Sequence, residues 1–255
     1  MPTYGLIGKS IAHSFSPAYF AQKFAALGLN NSHQYALFPL AKIEEVAPLL
    51  QQKDIFGLNV TIPYKQQIIP FLDSLDPQAE AAGAVNTIVK QKNRHWRGYN
   101  TDIIGFGQSL DTATQKLNFE LYNALILGSG GAAKAVQQAL LARNISFKTV
   151  SRKAENNNIS YENCSAKMIT AAQLIINTTP LGMSPNIETC PDIDYSAIGQ
   201  KHLLFDLVYN PKETVFLQRG KAQGAQLIGG LQMLHAQADA AWQIWQNNYL
   251  AINYL

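Results

Sequence analysis

The chain has 255 residues, 47% of them hydrophobic and 15% charged, with a formal net charge of +3. That length can bury ample core as one large domain or two ordinary ones, and the composition excludes a disordered chain. No run of Lys and Arg marks a nucleic-acid arm or a membrane patch, and no apolar stretch reaches membrane-spanning length.

Cys164 and Cys190 have neither CxxC spacing nor a nearby His cluster, so they read as free thiols in a reducing compartment. Gly8, Lys9 and His13 break the first apolar run, which leaves no signal-peptide core. A cytoplasmic protein is expected, with no nucleic-acid or membrane partner, as a monomer or homodimer.

Residues 4–8 read as a strand, followed by a loop and a helix beginning near Pro17, a residue suited to a first helical turn. Strand 34–38, helix 43–50 and strand 56–60 follow, and Pro63 is expected to open a helix carrying Lys65. Residues 87–90 and 95–99 flank a polar turn and read as a hairpin, which Asp102 ends. The pattern then restarts with helix 103–111, strand 124–127, helix 131–143 and strands 146–150, 174–177 and 203–207. A long apolar-periodic helix, 231–245, closes the chain. Alternating strands and helices predict an α/β protein of two lobes: residues 1–103 with a mostly parallel sheet, then 104–234, with 235–255 returning to the first lobe.

Gly128-Ser129-Gly130-Gly131-Ala132-Ala133 fits the G-x-G-x-x-G/A pattern between a strand and a helix. Gly128 permits the tight turn, Gly130 lets backbone approach a pyrophosphate, and Ala133 lets helix sit close on sheet. The helix start then offers free N–H groups to phosphate. An NAD site usually places a carboxylate at the end of the next strand, where this chain has Ser151-Arg152-Lys153. Two cations there favour the 2′-phosphate of NADP, with Glu155 coming slightly late.

Lys65 and Asp102 could serve a carbonyl reduction, the ammonium giving a proton and the carboxylate orienting it. Most Lys–Asp pairs are surface features, and spacing alone does not set this one apart. Ser14 and Ser16 could equally cap the helix after Pro17, and Thr61 the next one.

Several segments together carry a resemblance. His13-Ser14-Phe15-Ser16-Pro17, Asn59-Val60-Thr61-Ile62-Pro63-Tyr64-Lys65, Gly83-Ala84-Val85-Asn86-Thr87 and Asn100-Thr101-Asp102 resemble the shikimate dehydrogenase family. So do Asn177-Thr178-Thr179-Pro180-Leu181-Gly182-Met183, Asp206-Leu207-Val208-Tyr209-Asn210-Pro211 and Met233-Leu234-His235-Ala236-Gln237-Ala238, all in family order.

The resemblance implies NADPH-dependent reduction of 3-dehydroshikimate to shikimate, in a groove between a substrate domain and a Rossmann-like dinucleotide-binding domain. It implies Lys65 and Asp102 as the catalytic pair, and Ser14 and Ser16 as donors to the substrate carboxylate. Thr61, Asn86, Tyr209 and Gln237 become further substrate contacts. Gly128, Ser129, Gly130, Gly131, Ala132, Ser151, Arg152, Lys153 and Thr178 become cofactor contacts, with Leu207, Gly230 and Met233 near the nicotinamide. His13 and His235 read as structural, and no cluster has metal-ligand spacing.

The chain departs from the family's Asn-Arg-Thr with a later Arg: it has Ser151-Arg152-Lys153, and Asn156 in that later place. Ile103 replaces a usual Gly, and Gly229-Gly230 stands where Asp-Gly is common. The alternatives are a quinate/shikimate dehydrogenase using NAD and a non-catalytic dinucleotide sensor, the latter disfavoured by retention of both Lys65 and Asp102.

Overall fold

A computed structural model describes residues 1–154 and 158–253. Glu155 and Asn156 lie outside the described residues. The chain divides into two compact units, Met1–Thr101 together with the segment from Ala238, and Asp102–Gln237.

The first unit contains β1 (Thr3–Gly8), α1 (Ser16–Ala26), β2 (Gln34–Pro39), α2 (Val46–Leu50), β3 (Ile55–Val60), β4 (Ser74–Leu75), α3 (Pro77–Ala82), β5 (Thr87–Lys90) and β6 (Trp96–Tyr99). Its sheet runs β2-β1-β3-β5-β6-β4. The β1–β2, β1–β3 and β4–β6 pairs are parallel, whereas β5 runs antiparallel to both β3 and β6.

Alternation along each strand sends neighbours to opposite faces. Ile7, Leu58 and Ile88 join one core with Val46, Leu49, Tyr64 and Ile68, while Tyr4 and Val89 join another with Phe20, Phe24, Trp242 and Trp245. A Cβ on Gly57 would lie 2.3 Å from the Trp245 ring, so glycine makes room for that indole, whose N–H donates to the Ile88 carbonyl at 3.0 Å.

Two local expectations are corrected. Residues 62–68 form turns rather than a helix. The Lys65 carbonyl, which a helix would give to the Ile69 N–H, instead accepts from Val85 N at 2.7 Å. Asp102 does not end the hairpin but lies in the first turn of α4 (Thr101–Thr114), two residues earlier than the helix start read from sequence.

The second unit continues with β7 (Asn123–Leu127), α5 (Gly131–Leu141), β8 (Ser146–Ser151), β9 (Ile159–Ser160), α6 (Ala166–Ala171), β10 (Leu174–Asn177), β11 (Leu203–Asp206), α7 (Val215–Ala222) and β12 (Gln226–Ile228). All its strand pairs are parallel, in the order β12-β11-β10-β7-β8-β9. Counted from β7, this is the 3-2-1-4-5-6 order of a Rossmann fold, and the chain reverses direction of winding between β7 and β10. Leu125, Leu127, Ile175 and Leu204 pack with Phe216 and Ile169 on one face. On the other, Phe106 of α4 stacks on Phe205 at 4.7 Å.

After β12 comes one helix, α8 (Leu231–Asn253), longer than the sequence pattern predicted. Most of it belongs to the first unit, where Asp239 accepts from Tyr19 Oη at 2.6 Å and pairs with Lys23. Among the described residues no helix is long and apolar enough to cross a membrane, and no group of three or more His, Cys, Asp or Glu could hold a metal ion.

Candidate active site

In the first unit, four motifs far apart in sequence meet at one end of the sheet. β1 and β3 end there, β6 ends there at Tyr99, and antiparallel β5 begins there, with Asn59 opposite Thr87 and Thr87 opposite Tyr99. Ligands of α/β sheets gather at the carboxyl ends of strands.

A continuous polar network joins three of the motifs. The Ser16 side chain lies beside the Tyr35 phenol, which donates to Asn59 Oδ1 at 2.8 Å. Asn59 Nδ2 donates to Thr87 Oγ1 at 3.2 Å, and Thr87 and Thr101 hydroxyls lie 3.0 Å apart. Asn86 Oδ1 then accepts from Thr101 N at 2.7 Å, Thr101 Oγ1 at 3.1 Å and Thr87 Oγ1 at 3.2 Å. Burial pushes the Tyr35 phenol's pKa up, partly offset by the neighbouring Ser16 side chain, so it stays a neutral donor.

The network assigns each amide atom. The Asn86 oxygen is committed to Thr101, the residue before Asp102, and no described residue accepts from its Nδ2, which remains able to donate. Ser14 Oγ accepts the N–H of Ser16, the first residue of α1, at 3.2 Å, so its acceptor serves the helix start and its proton can still donate. Lys65 and Thr61 are half-buried in the turn segment, and the Lys65 backbone is tied to Val85 beside Asn86. Tyr35 and Asn59 were not assigned roles from sequence: Tyr35 lies in no motif, and Asn59 signals only by its place in the Asn-x-Thr motif.

In the second unit, Asp102 is 7% exposed, at a helix N-terminus whose partial positive charge suits a carboxylate. Gly128 has φ +112°, which favours glycine, and a Cβ there would meet Thr178 Oγ1 at 2.6 Å. Thr178 Oγ1 itself donates to the Leu127 carbonyl at 2.8 Å, so it shapes the loop. A Cβ on Gly130 would meet nothing within 4 Å: open space faces the backbone where a pyrophosphate would approach.

A cleft of about 630 Å³ runs from Ser129 to the end of β8, lined also by Lys134, Gln137, Ser151, Arg152, Lys153 and Asn158. The Ser151 hydroxyl is bonded to the Lys153 carbonyl and so sets the turn that presents Arg152 and Lys153, both exposed. Gly131 and Ala132 open α5, both half-buried. These residues fit a dinucleotide carrying an extra phosphate. Lys134, Gln137 and Asn158 lay outside the sequence reading, which used the loop's glycines and the strand end only.

Leu207 and Gly230 approach closely: a Cβ on Gly230 would lie 2.3 Å from the Leu207 carbonyl oxygen, and Gly230 N donates to the Val208 carbonyl at 3.2 Å. Met233 is buried one turn later, and Tyr209 and Gln237 are half-buried.

The comparisons with known proteins agree over nearly the whole length. Residues 6–88 match the model of the shikimate dehydrogenase substrate binding domain. A shikimate dehydrogenase (NADP(+)) of a Nostoc species is 39% identical, over 94% of this chain and 89% of that protein. The Thermus thermophilus shikimate 5-dehydrogenase, solved with NADP(H) and shikimate, superposes with a TM-score of 0.84 at 29% identity, over 97% of this chain and 94% of that one. A Corynebacterium glutamicum quinate dehydrogenase in complex with NAD superposes at 0.86 and 28% identity, over 96% and 94%.

Proposed function

Since the chain belongs to the shikimate dehydrogenase family, we propose that it catalyses the reversible NADPH-dependent reduction of 3-dehydroshikimate to shikimate, within chorismate and aromatic amino-acid biosynthesis. The observation that carries this reading is the polar network: one chain of hydroxyls and amides links three of the four substrate motifs at the carboxyl end of one sheet, with Ser16 of the fourth beside Tyr35. A small ring bearing a carboxylate and hydroxyls needs that mixture of donors and acceptors.

When bound, NADPH supplies the hydride. Lys65 is the donor of the proton that the substrate's carbonyl oxygen takes up, and Asp102 orients the ammonium and exchanges its proton. Ser14 and Ser16 donate to the substrate carboxylate, while Thr61, Asn86, Tyr209 and Gln237 hold the ring hydroxyls. Asn86 has two tasks: its oxygen fixes Thr101, and its NH₂ turns to the substrate. Arg152 and Lys153 pair with the adenosine 2′-phosphate, which a carboxylate at that strand end would repel. The two free cysteines suit work in the reducing cytoplasm.

The test is direct: purified protein with NADP and shikimate should show growth of NADPH absorbance that depends on shikimate. No substrate-dependent change would refute the reading. Faster turnover of quinate with NAD would replace it with quinate dehydrogenation.

A further inference from the structure

The α5 wall of the cofactor cleft carries a cation without an assigned role. Lys134 and Gln137, three residues apart on α5, share one face of the helix. Gln137 Nε2 donates to Thr149 Oγ1 of β8 at 3.0 Å, which turns that face toward β8. Lys134 therefore lines the cleft together with Arg152 and Lys153, at the strand's end rather than toward β10. Its ammonium forms no hydrogen bond or ion pair with any described residue, and no carboxylate stands among the described lining residues.

Three cations around one cleft repel one another, and an anion between the two walls converts that repulsion into attraction. A phosphomonoester has roughly two negative charges at neutral pH and three acceptor oxygens. A guanidinium on one side engages at most two of them, leaving an oxygen for the opposite wall.

Resting on the NADP reading above, we propose that Lys134 is a specificity-determining residue that holds the adenosine 2′-phosphate from the α5 side, facing Arg152 and Lys153. NAD, with a hydroxyl in that place, offers Lys134 no charge, so the contact discriminates between the cofactors rather than strengthening both.

The full-length protein, titrated calorimetrically with 2′,5′-ADP and with 5′-AMP, tests this, since the two differ only in the 2′-phosphate. Lys134→Met keeps the unbranched stem and helix propensity but removes the charge. It should weaken 2′,5′-ADP about tenfold, the low end for a charge-assisted bond at a half-exposed site, and shift 5′-AMP by less than about twofold. Lys134→Arg should restore most of the loss, and Arg152→Ala should show the same selective pattern.

Equal weakening of both nucleotides would assign Lys134 to the 5′-phosphate and overturn the proposal, as would unchanged 2′,5′-ADP binding in Lys134→Met. Shikimate oxidation by the wild-type protein is scored separately. Activity with NADP alongside an unaffected Lys134→Met removes this inference alone. Selective loss of 2′,5′-ADP in a protein that does not oxidise shikimate removes the activity alone.

Discussion

Asn86→Ala withdraws an acceptor that three donors share. Thr87 and Thr101 are both 0% exposed and their hydroxyls lie 3.0 Å apart, so the pair can pass one proton between them. The truncation then strands the Thr101 N–H, previously bonded at 2.7 Å, and one hydroxyl proton. A buried unsatisfied donor costs about 1–3 kcal/mol and a lost neutral hydrogen bond about 1, together roughly 2–4 kcal/mol. At about 3 °C per kcal/mol, the melting temperature should fall by roughly 6–12 °C. Trp96, Trp242 and Trp245 are the chain's 3 tryptophans and all lie in the first unit, so intrinsic fluorescence reads this unit's unfolding. Asn86→Asp keeps the acceptor oxygen and should recover part of that stability, offset by the cost of burying a carboxylate at a site 3% exposed. It replaces the NH₂ donor, however, and should raise the Michaelis constant for shikimate about tenfold. Wild-type melting in Asn86→Ala would refute the accounting of acceptors, and wild-type kinetics in Asn86→Asp would refute the donor role.

Lys65→Ala should lower turnover by roughly 10²–10⁴-fold while 2′,5′-ADP still binds, and Asp102→Asn should be non-additive with it; near-normal turnover in folded Lys65→Ala would sink the proton-donor role. Ser14→Ala and Ser16→Ala should raise the Michaelis constant for shikimate more than they lower turnover, and normal shikimate binding in both would leave only their helix-start contacts. Burial pushes the Asp206 carboxyl up from 3.8 to about 6, against bonds from Thr214 Oγ1 at 2.5 Å, Val208 N at 3.0 Å and Asn177 Nδ2 at 3.0 Å. The folded state thus holds this proton more tightly than the unfolded one, a contribution complete below pH 3.8 and lost as pH rises through about 6, worth about 3 kcal/mol in all. Asp206→Asn should flatten the fall in stability across that window, and urea midpoints with the wild-type slope between pH 4 and pH 7 would count against the buried-carboxyl argument.

The second unit's strand-turn-helix was readable because its signals are local: an apolar strand, a turn whose Gly128 takes φ +112°, and a helix directly after it. The strand end at Ser151–Lys153 was equally local, since charge type alone separates a phosphate from a hydroxyl. What escaped depended on distant partners. The turn around Lys65 looked helical from Pro63 onward, but the Lys65 carbonyl that would propagate a helix accepts instead from the distant Val85 N–H. The start of α4 was hidden because the acceptor for Thr101 N comes from Asn86, on another strand end. Tyr35 reaches Asn59 only because β2 lies beside β1 and β1 beside β3. The short pieces α3, α6 and β9 carry too few residues for a period to show, and short helices draw their stability from tertiary packing.

The return of α8 to the first unit has a consequence for biosynthesis. Residues 102–237 are continuous and can close their parallel sheet as soon as they emerge, whereas the face bearing Tyr4, Phe20, Phe24 and Val89 waits for Trp242 and Trp245. At roughly 5–20 residues per second, ribosomes leave that aromatic face uncovered for on the order of ten seconds while the intervening stretch is made. The unit synthesised first is thus completed last, with its aromatic face open to misassociation in the meantime. Loss of the helix from Trp242 onward would strike the opposite end of the chain, leaving an assembled nucleotide-binding unit tethered to an unfinished partner.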